Sequence, residues 1–481
     1  MVYTMDAQLA IATRPLIAVL GEDFAVPMPD GGLTRYINLD NAATTAPSVS
    51  VAKAVSDLAQ VYGSVQRGSG LKSVISTRLY EQALANLKKF VGATSADLVV
   101  LAINTTTAIN RLAANYKFAP GDIVLISEAE HSSNDLPWRR YATVVPVRST
   151  GDGQLDLADL EGSLKSYGRN VRMVALTGAS NVSGRVPPLR EAAALAHRYG
   201  AEVFVDCAQL IAHRRVDMRG GPGSEHFDYV AFSGHKMYAP YGGGVLIGRS
   251  WPFEQSLPDL PGGGTVDMIT RDRVIWAGLP SKLVPGTPNM VGLVAMAIAA
   301  QELSALDPIL TRNHERMLVE HGREVLESID GVRLYAHKND SHEDQLPVFP
   351  FTVRGFHHSL VAAVLGHEYG IAVRAGHLCQ YEFMRRELDI SPAEQSRQET
   401  LVQAHDKSSL YGMIRASCGL CNTCDDLSAL GSAVRHLLKR GPPLSYEQES
   451  SSGQFAAVGQ DEHLQMLIPL SLRSLLQAAS E

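Results

Sequence analysis

From residue 97 to residue 248 the chain repeats one pattern: a short apolar run, a polar break, then residues at helical spacing. The runs are Asp97–Ile103, Ile123–Ile126, Thr143–Val147, Val171–Leu176, Val203–Val205 and Tyr229–Phe232, with Val245–Ile247 following a Tyr-Gly-Gly-Gly turn. Helical segments such as Ala108–Tyr116 and Leu189–Tyr199 fall between several of them. Few folds accept that alternation. It predicts an α/β domain built on a mostly parallel sheet. Ligands of such sheets bind beyond the carboxyl ends of the strands, and Thr105, His131, Asn181, Asp206 and Lys236 fall at those ends.

Outside that stretch the pattern changes. Ile37–Pro47 reads as a strand entering a tight loop, followed by a helix over Val49–Tyr62, a Gly/Ser loop, and a helix over Val74–Val91 closed by Gly92. Beyond Thr287, helices over Met290–Leu306 and Asn313–Ile329 lead into a smaller α+β unit with strands at Val332–Ala336, Val348–Val353 and Ile371–Arg374. Ser391-Pro392-Ala393-Glu394 has the form of a capping box with Pro at the first helical position. A chain of 481 residues has room for two cores. The expected division is an N-terminal arm (1–35), a large domain (36–305), a small domain (306–440) and a tail (441–481). Tyr446–Gln460 is polar and expected to be mobile; Leu464–Leu476 is apolar but interrupted by Pro469, and is expected to dock on the body or a partner.

Composition excludes several classes. A net charge of −7 argues against nucleic acid as the main partner. No apolar run approaches the roughly 20 residues of a membrane span, and no signal peptide is legible, so a cytoplasmic location is expected. Five cysteines in such a chain point to catalysis or metal rather than to a disulfide framework.

The chemistry centres on Asp228–Gly248. There an apolar run delivers Ser233-Gly234-His235-Lys236 to the end of a strand. A lysine is normally left on the surface; one held in a partly dry pocket loses basicity and becomes a nucleophilic amine. Asp206 closes Val203-Phe204-Val205, where a carboxylate can pair with a protonated ring nitrogen or simply cap a helix. Thr105–Thr107 offer hydroxyls and free backbone N–H groups to a phosphate, although Thr is also a common cap. His131 can stack on an aromatic ring, or be an ordinary loop histidine.

Taken in order, these pieces resemble the class V aminotransferase superfamily of pyridoxal phosphate enzymes (fold type I), and within it the cysteine desulfurase and selenocysteine lyase branch. The resemblance spans about residues 36–435. It rests on Leu39-Asp40-Asn41-Ala42-Ala43-Thr44-Thr45, Thr105-Thr106, Glu130-His131 with Asn134 and Trp138, Ser180-Asn181-Val182, Val205-Asp206 with Ala208-Gln209, and Ser233–Lys236. Gly286-Thr287-Pro288-Asn289, Arg374-Ala375-Gly376-His377 and Arg415-Ala416-Ser417 with Asn422-Thr423 complete it. The resemblance implies that Lys236 anchors pyridoxal 5'-phosphate as a Schiff base and moves the substrate proton. It implies that His131 stacks on the ring, Asp206 pairs with its nitrogen and Gln209 approaches its hydroxyl. Thr105, Thr106, Ser233 and His235 would hold the phosphate, and Thr287 would reach the cofactor of a neighbouring subunit in a homodimer. Asn181 and Arg415, with Arg374 and Ala43 nearby, would receive the amino acid.

Cys379, in Arg374-Ala375-Gly376-His377-Leu378-Cys379, matches the nucleophile of the desulfurases. The implied reaction binds L-cysteine as a Schiff base, passes its sulfur to Cys379 as a persulfide, releases L-alanine, and hands the sulfur to an acceptor protein. Two features depart from the pattern: Leu378 stands where a second histidine is usual, and about 20 extra residues separate Cys379 from Arg415. Cys418, Cys421 and Cys424 resemble part of an iron–sulfur ligand run, but no fourth ligand adjoins them, so no metal ligand is assigned. Packing, a metal or cluster site, and a sulfur relay or disulfide remain open for them. Two other readings stand beside the desulfurase. One is an aminotransferase, epimerase or C–S lyase that does not use Cys379; the other is an iron–sulfur or redox-sensing protein on the same fold.

Overall fold

The computed structural model describes residues 14–28, 31–66, 68–151, 153–221, 223–335, 344–459, 467–469 and 471–473. Seven strands make the central sheet: β1 (Leu98–Ala102), β2 (Ile123–Ser127), β3 (Thr143–Val147), β4 (Val171–Thr177), β5 (Glu202–Asp206), β6 (Tyr229–Ser233) and β7 (Gly244–Gly248). Their spatial order is β1-β7-β6-β5-β4-β2-β3. Every pair is parallel except those made by β7, which runs antiparallel to both β1 and β6. The exception has a simple cause. A parallel neighbour requires a crossover of a dozen or more residues, usually a helix, and only the turn at Gly234–Lys236 and its Gly-rich continuation separate β6 from β7. Burial on both faces follows: β2, β6 and β7 are buried along their whole length.

The covering helices differ from expectation mainly at their starts. Leu71–Phe90 begins one turn before Val74, and Gly92 follows it at φ +65°, the left-handed cap that was expected. Pro308–Glu327 begins five residues before Asn313, because the Asp307 carboxylate accepts from the amides of Ile309 and Leu310 and Pro308 takes the first position. Met290–Ala305 is apolar all round and buried against the helices Val49–Val61 and Leu71–Phe90. Among the described residues no single helix is long and apolar enough to cross a membrane.

A second core lies around an antiparallel sheet of β8 (Val332–Leu334), β9 (Val348–Val353), β10 (Arg374–Gly376) and β11 (Met413–Ser417), ordered β8-β9-β11-β10. Phe349, Phe351, Leu365, Leu427 and Val434 fill it. Ile37 and Leu39 belong to this core too. The segment Ile371–Arg374 is not one strand: Ile371–Ala372 pairs in parallel with Ile37–Asn38, while Arg374 opens β10. The tail also differs. Tyr446–Gln448 and Phe455–Ala457 form a hairpin against the helix His358–Tyr369, with the Tyr446 hydroxyl donating to Glu368 at 2.9 Å and the Phe455 amide to Ser359 Oγ at 3.2 Å. Of the expected docking segment Leu464–Leu476, most residues lie outside those described. In the arm, Ile17 is buried in the large core and the Leu16 amide donates to Leu420 O at 2.7 Å.

Candidate active site

The carboxyl ends of β4, β5 and β6 open into a cleft of about 430 Å³ whose opposite wall comes from β10, β11 and the loop after β10. Asp206 ends β5, buried, with its Oδ1 accepting the Ala208 amide at 2.9 Å. Burial raises its pKa, and the neighbouring Lys236 opposes that shift. Lys236 closes the short turn after β6. Burial, reinforced by Arg415 and opposed by Asp206, pulls its pKa down to about 8, so an appreciable fraction of the amine is neutral near physiological pH. The turn is gripped from outside by the Thr45 amide, which donates to His235 O at 2.8 Å, and nearby Gln209 Nε2 donates to Ala42 O at 2.7 Å.

Beside the lysine lies the start of the helix Thr105–Asn115, capped by Asn104, whose side chain accepts from the Thr107 amide at 2.9 Å. Gly244 lets β7 run against this helix start, since a Cβ there would lie 2.5 Å from Asn104 Cα. The Thr105 amide donates to Ser233 Oγ at 2.7 Å, and Thr106 Oγ1 meets Ser133 Oγ at 2.6 Å. Hydroxyls backed by a helix N-terminus suit a phosphate. His235 is close by; burial and then Lys236 lower its pKa to about 4.

His131 follows β2. Its Nδ1 accepts the Ser133 amide at 3.1 Å, which leaves the ring proton on Nε2. Burial, then Lys236 and Arg415, lower its pKa to about 4, so the imidazole is neutral. Beneath it sits Glu130, whose place in the sequence motif carried no stated role. Its carboxylate accepts from Ser127 Oγ (2.6 Å), the Thr177 amide (2.7 Å) and Asn134 Nδ2 (2.7 Å), and Asn134 in turn accepts from Trp138 Nε1 at 3.0 Å. Glu130 thus joins the ends of β2 and β4 to the turn that holds His131. Ser133 was missed altogether; its only signal was the His-Ser-Ser-Asn run.

On the opposite wall Arg415 is buried in β11. It donates through one terminal nitrogen to Asn181 O at 2.9 Å and through the other to Asp40 Oδ1 at 2.8 Å, while Arg374 holds Asp40 Oδ2 at 2.8 Å. Arg415 Nε and Asn181 Oδ1 are buried and have no hydrogen-bond partner. A guanidinium with an unspent donor on a cleft wall suits a carboxylate. Ala43 lines the same cleft.

Cys379 faces this space from an exposed loop. Leu378 and Cys379 both adopt left-handed backbone, at φ +52° and +59°, a cost of about 1–3 kcal/mol each that the surroundings must meet. Asn181 Nδ2 donates to Leu378 O at 2.8 Å, and the Ser132 amide donates to Cys379 O at 3.2 Å. Leu378 packs with Val182, Phe383, Met384 and Met413, which explains an apolar residue at this position. The extra chain that follows is folded: helices Tyr381–Glu387 and Pro392–Gln403, the latter capped by Ser391 as expected and with its own Gln398 buried.

Thr287 is not brought to the cleft; it is exposed on the loop before Met290–Ala305 and lines a separate apolar cavity. Nor do Cys418, Cys421 and Cys424 converge. Among the described residues, the one set of three metal-ligating side chains within 4.8 Å of one another is His197, His226 and Asp228, near the other ends of the strands. The cysteine run instead forms a loop tied by Asn422, which joins Asn41, Asn38 and Asp426, and Thr423 with Asp426 makes a capping box for the helix Cys424–Arg440. All five cysteines are free thiols.

A profile of the family Aminotransferase class-V matches residues 37–430. A probable cysteine desulfurase of Vibrio cholerae is 31% identical over 407 residues, covering 83% of this chain and 92% of the relative. A cysteine desulfurase of Dickeya dadantii is 34% identical over 361 residues, covering 72% and 84%. Among solved structures, the apo cysteine desulfurase from Thermococcus onnurineus superposes with a TM-score of 0.73 at 28% identity, over 84% of this chain and 95% of that one. The cysteine desulfurase CsdA from Escherichia coli gives 0.70 at 29%, with the same coverage.

Proposed function

The chain belongs to the class-V aminotransferase family and is a pyridoxal-phosphate-dependent enzyme of its cysteine desulfurase branch, and we propose that Cys379 is the residue that receives sulfur from L-cysteine. The observation that carries this reading is the shared cleft. A thiol, a lysine of lowered pKa and an arginine with an unspent donor line one space. The donor set also fits the cofactor: a buried acid for a ring nitrogen, a neutral imidazole, hydroxyls at a helix N-terminus, and an amine that is partly neutral.

In this reading Thr105, Thr106, Ser233 and His235 hold the phosphate of pyridoxal phosphate, Asp206 its ring nitrogen, Gln209 its ring hydroxyl, and His131 its ring face. Lys236 is the covalent anchor. When bound, the cofactor supplies an electron sink that weakens bonds next to the amino-bearing carbon. Arg415 and Asn181 take the substrate carboxylate, with Arg374 holding Asp40 in place beside them. Once released from the anchor, Lys236 carries a proton away from the substrate Cα. The Cys379 thiolate attacks the substrate sulfur; an S–S bond forms as the Cβ–S bond breaks, Cβ takes up a proton, and Lys236 returns one to Cα. L-cysteine and the Cys379 thiol therefore give L-alanine and a Cys379 persulfide, from which an acceptor protein draws sulfur.

We assign a homodimer to the same reading. It rests on Ile103 and Leu260, exposed apolar side chains that line the same cavity as Thr287. Thr287 would then complete the partner's phosphate site. A cytoplasmic setting is proposed with it, in keeping with five unpaired thiols. The test is steady-state turnover of L-cysteine by the holoenzyme and its Cys379→Ala variant. Alanine should form in the first and fall at least a hundredfold in the second. Pyruvate and ammonia, formed equally by both, would replace this reading with a simple C–S lyase.

A further inference from the structure

Gln380 occupies the N-cap position of the helix Tyr381–Glu387, yet its side chain makes no capping hydrogen bond. A polar residue at that position ordinarily spends its side chain on the first turn. Here the amide is 1% exposed and turned the other way, between Ala129 and Ser180. Its Nε2 donates to Ala129 O at 2.5 Å, two residues before His131, and its Oε1 accepts from Ser180 Oγ at 3.1 Å, one residue before Asn181. One side chain thus ties the residue after Cys379 to two segments, the one that carries the imidazole and the one that carries the carboxylate-binding amide.

That tie has something to hold. Leu378 and Cys379 are consecutive left-handed residues, neither of them glycine, and such a pair persists only where its surroundings over-determine it. The loop's other hydrogen bonds to neighbouring segments run to Leu378 O and Cys379 O from Asn181 and Ser132, and the Leu378 side chain packs against Val182, Phe383, Met384 and Met413. Asn181 is the amide assigned above to the substrate carboxylate, so its bond to Leu378 is lent rather than owned. Gln380 faces no such competition.

We propose that Gln380 is a positioning residue for Cys379, holding the thiol in register with His131 and Asn181 while Asn181 exchanges Leu378 O for the substrate. The proposal rests on the desulfurase reading for its catalytic consequence but not for its structural one. The holoenzyme variants Gln380→Ala and Gln380→Glu test both. The second keeps the shape and the Ser180 bond but sets a carboxylate oxygen against Ala129 O.

Both variants should lower kcat for alanine formation by 10- to 100-fold, the scale of a misplacement of about 1 Å. KM for L-cysteine should stay within about twofold, and the visible cofactor band should be unchanged. Hydrogen exchange across residues 374–384 should rise in both, with β4 and β11 unaffected. Wild-type kcat in the variants would overturn the proposal. So would a joint loss of kcat, KM and the cofactor band, which marks a residue that only supports the fold. Should wild-type enzyme make no alanine, the desulfurase reading fails separately, and exchange across 374–384 decides Gln380 alone: unchanged exchange overturns it, raised exchange upholds it.

Discussion

Lys236 and His131 lose charge for one reason, removal from water, with neighbouring cations adding to it. For Lys236 this predicts that cofactor-free protein takes up pyridoxal phosphate at a rate that climbs with pH through about 8. A midpoint near the ordinary lysine value of about 10.4 would refute the burial argument. Glu130 gives a stability prediction. Burial raises its pKa to about 8, above the unfolded value, so the folded state binds the extra proton. Its stabilising contribution is complete below the ordinary carboxylate range and is lost as pH rises through about 8. Glu130→Gln should cost about 1–3 kcal/mol at pH 6 by unpairing one of three donors, and should flatten the decline in Tm between pH 6 and pH 9, measured by calorimetry. At Arg415, replacement by Lys keeps the charge but loses the fork, and kcat/KM for L-cysteine should fall on the order of a hundredfold.

At the scale of elements, the site depends on how closely β7 approaches the helix Thr105–Asn115. Gly244→Ala would place a Cβ within 2.7 Å of three backbone atoms of Asn104, none of which can rotate away. The expected cost is about 1–3 kcal/mol, with weakened cofactor retention, measured by thermal unfolding and absorbance. Gly262→Ala, with nothing within 4 Å, is the neutral control. Elements with period and length on their side were legible in the chain: the strands of the large sheet and the helix Met290–Ala305 stand where the apolar runs put them. Contacts across the chain were not. Ile37 and Leu39 look like the start of the large domain but pack 330 or more residues away in sequence, against Ile371 and β11. The hairpin Tyr446–Ala457 has the composition of a mobile tail and is fixed by Glu368 and Ser359, which no local pattern reveals. Within the site, residues that bear chemistry at strand ends could be picked out. Gln380, Ser133 and the orientation of Glu130 could not, because their roles exist only once β2, β4 and the loop after β10 are side by side.

At the scale of the whole molecule, two cores meet at one cleft, and each supplies what the other lacks. The large core brings Lys236, Asp206 and His131; the small core brings Arg415, Arg374 and Cys379. Thr287, outside this cleft, is proposed to complete the cleft of a second copy, so the holoenzyme should sediment at about twice the 51.9 kDa of one chain. A monomer with full activity would remove Thr287 from the site. The central claim is that sulfur from the substrate comes to rest on Cys379 and on no other thiol. Holoenzyme given one equivalent of L-cysteine without an acceptor, then alkylated and digested, tests this by mass spectrometry of the five cysteine-bearing positions. One added sulfur atom on the peptide containing Cys379 alone is the predicted result. The same mass on Cys418, Cys421 or Cys424, or on none while alanine still forms, would contradict it.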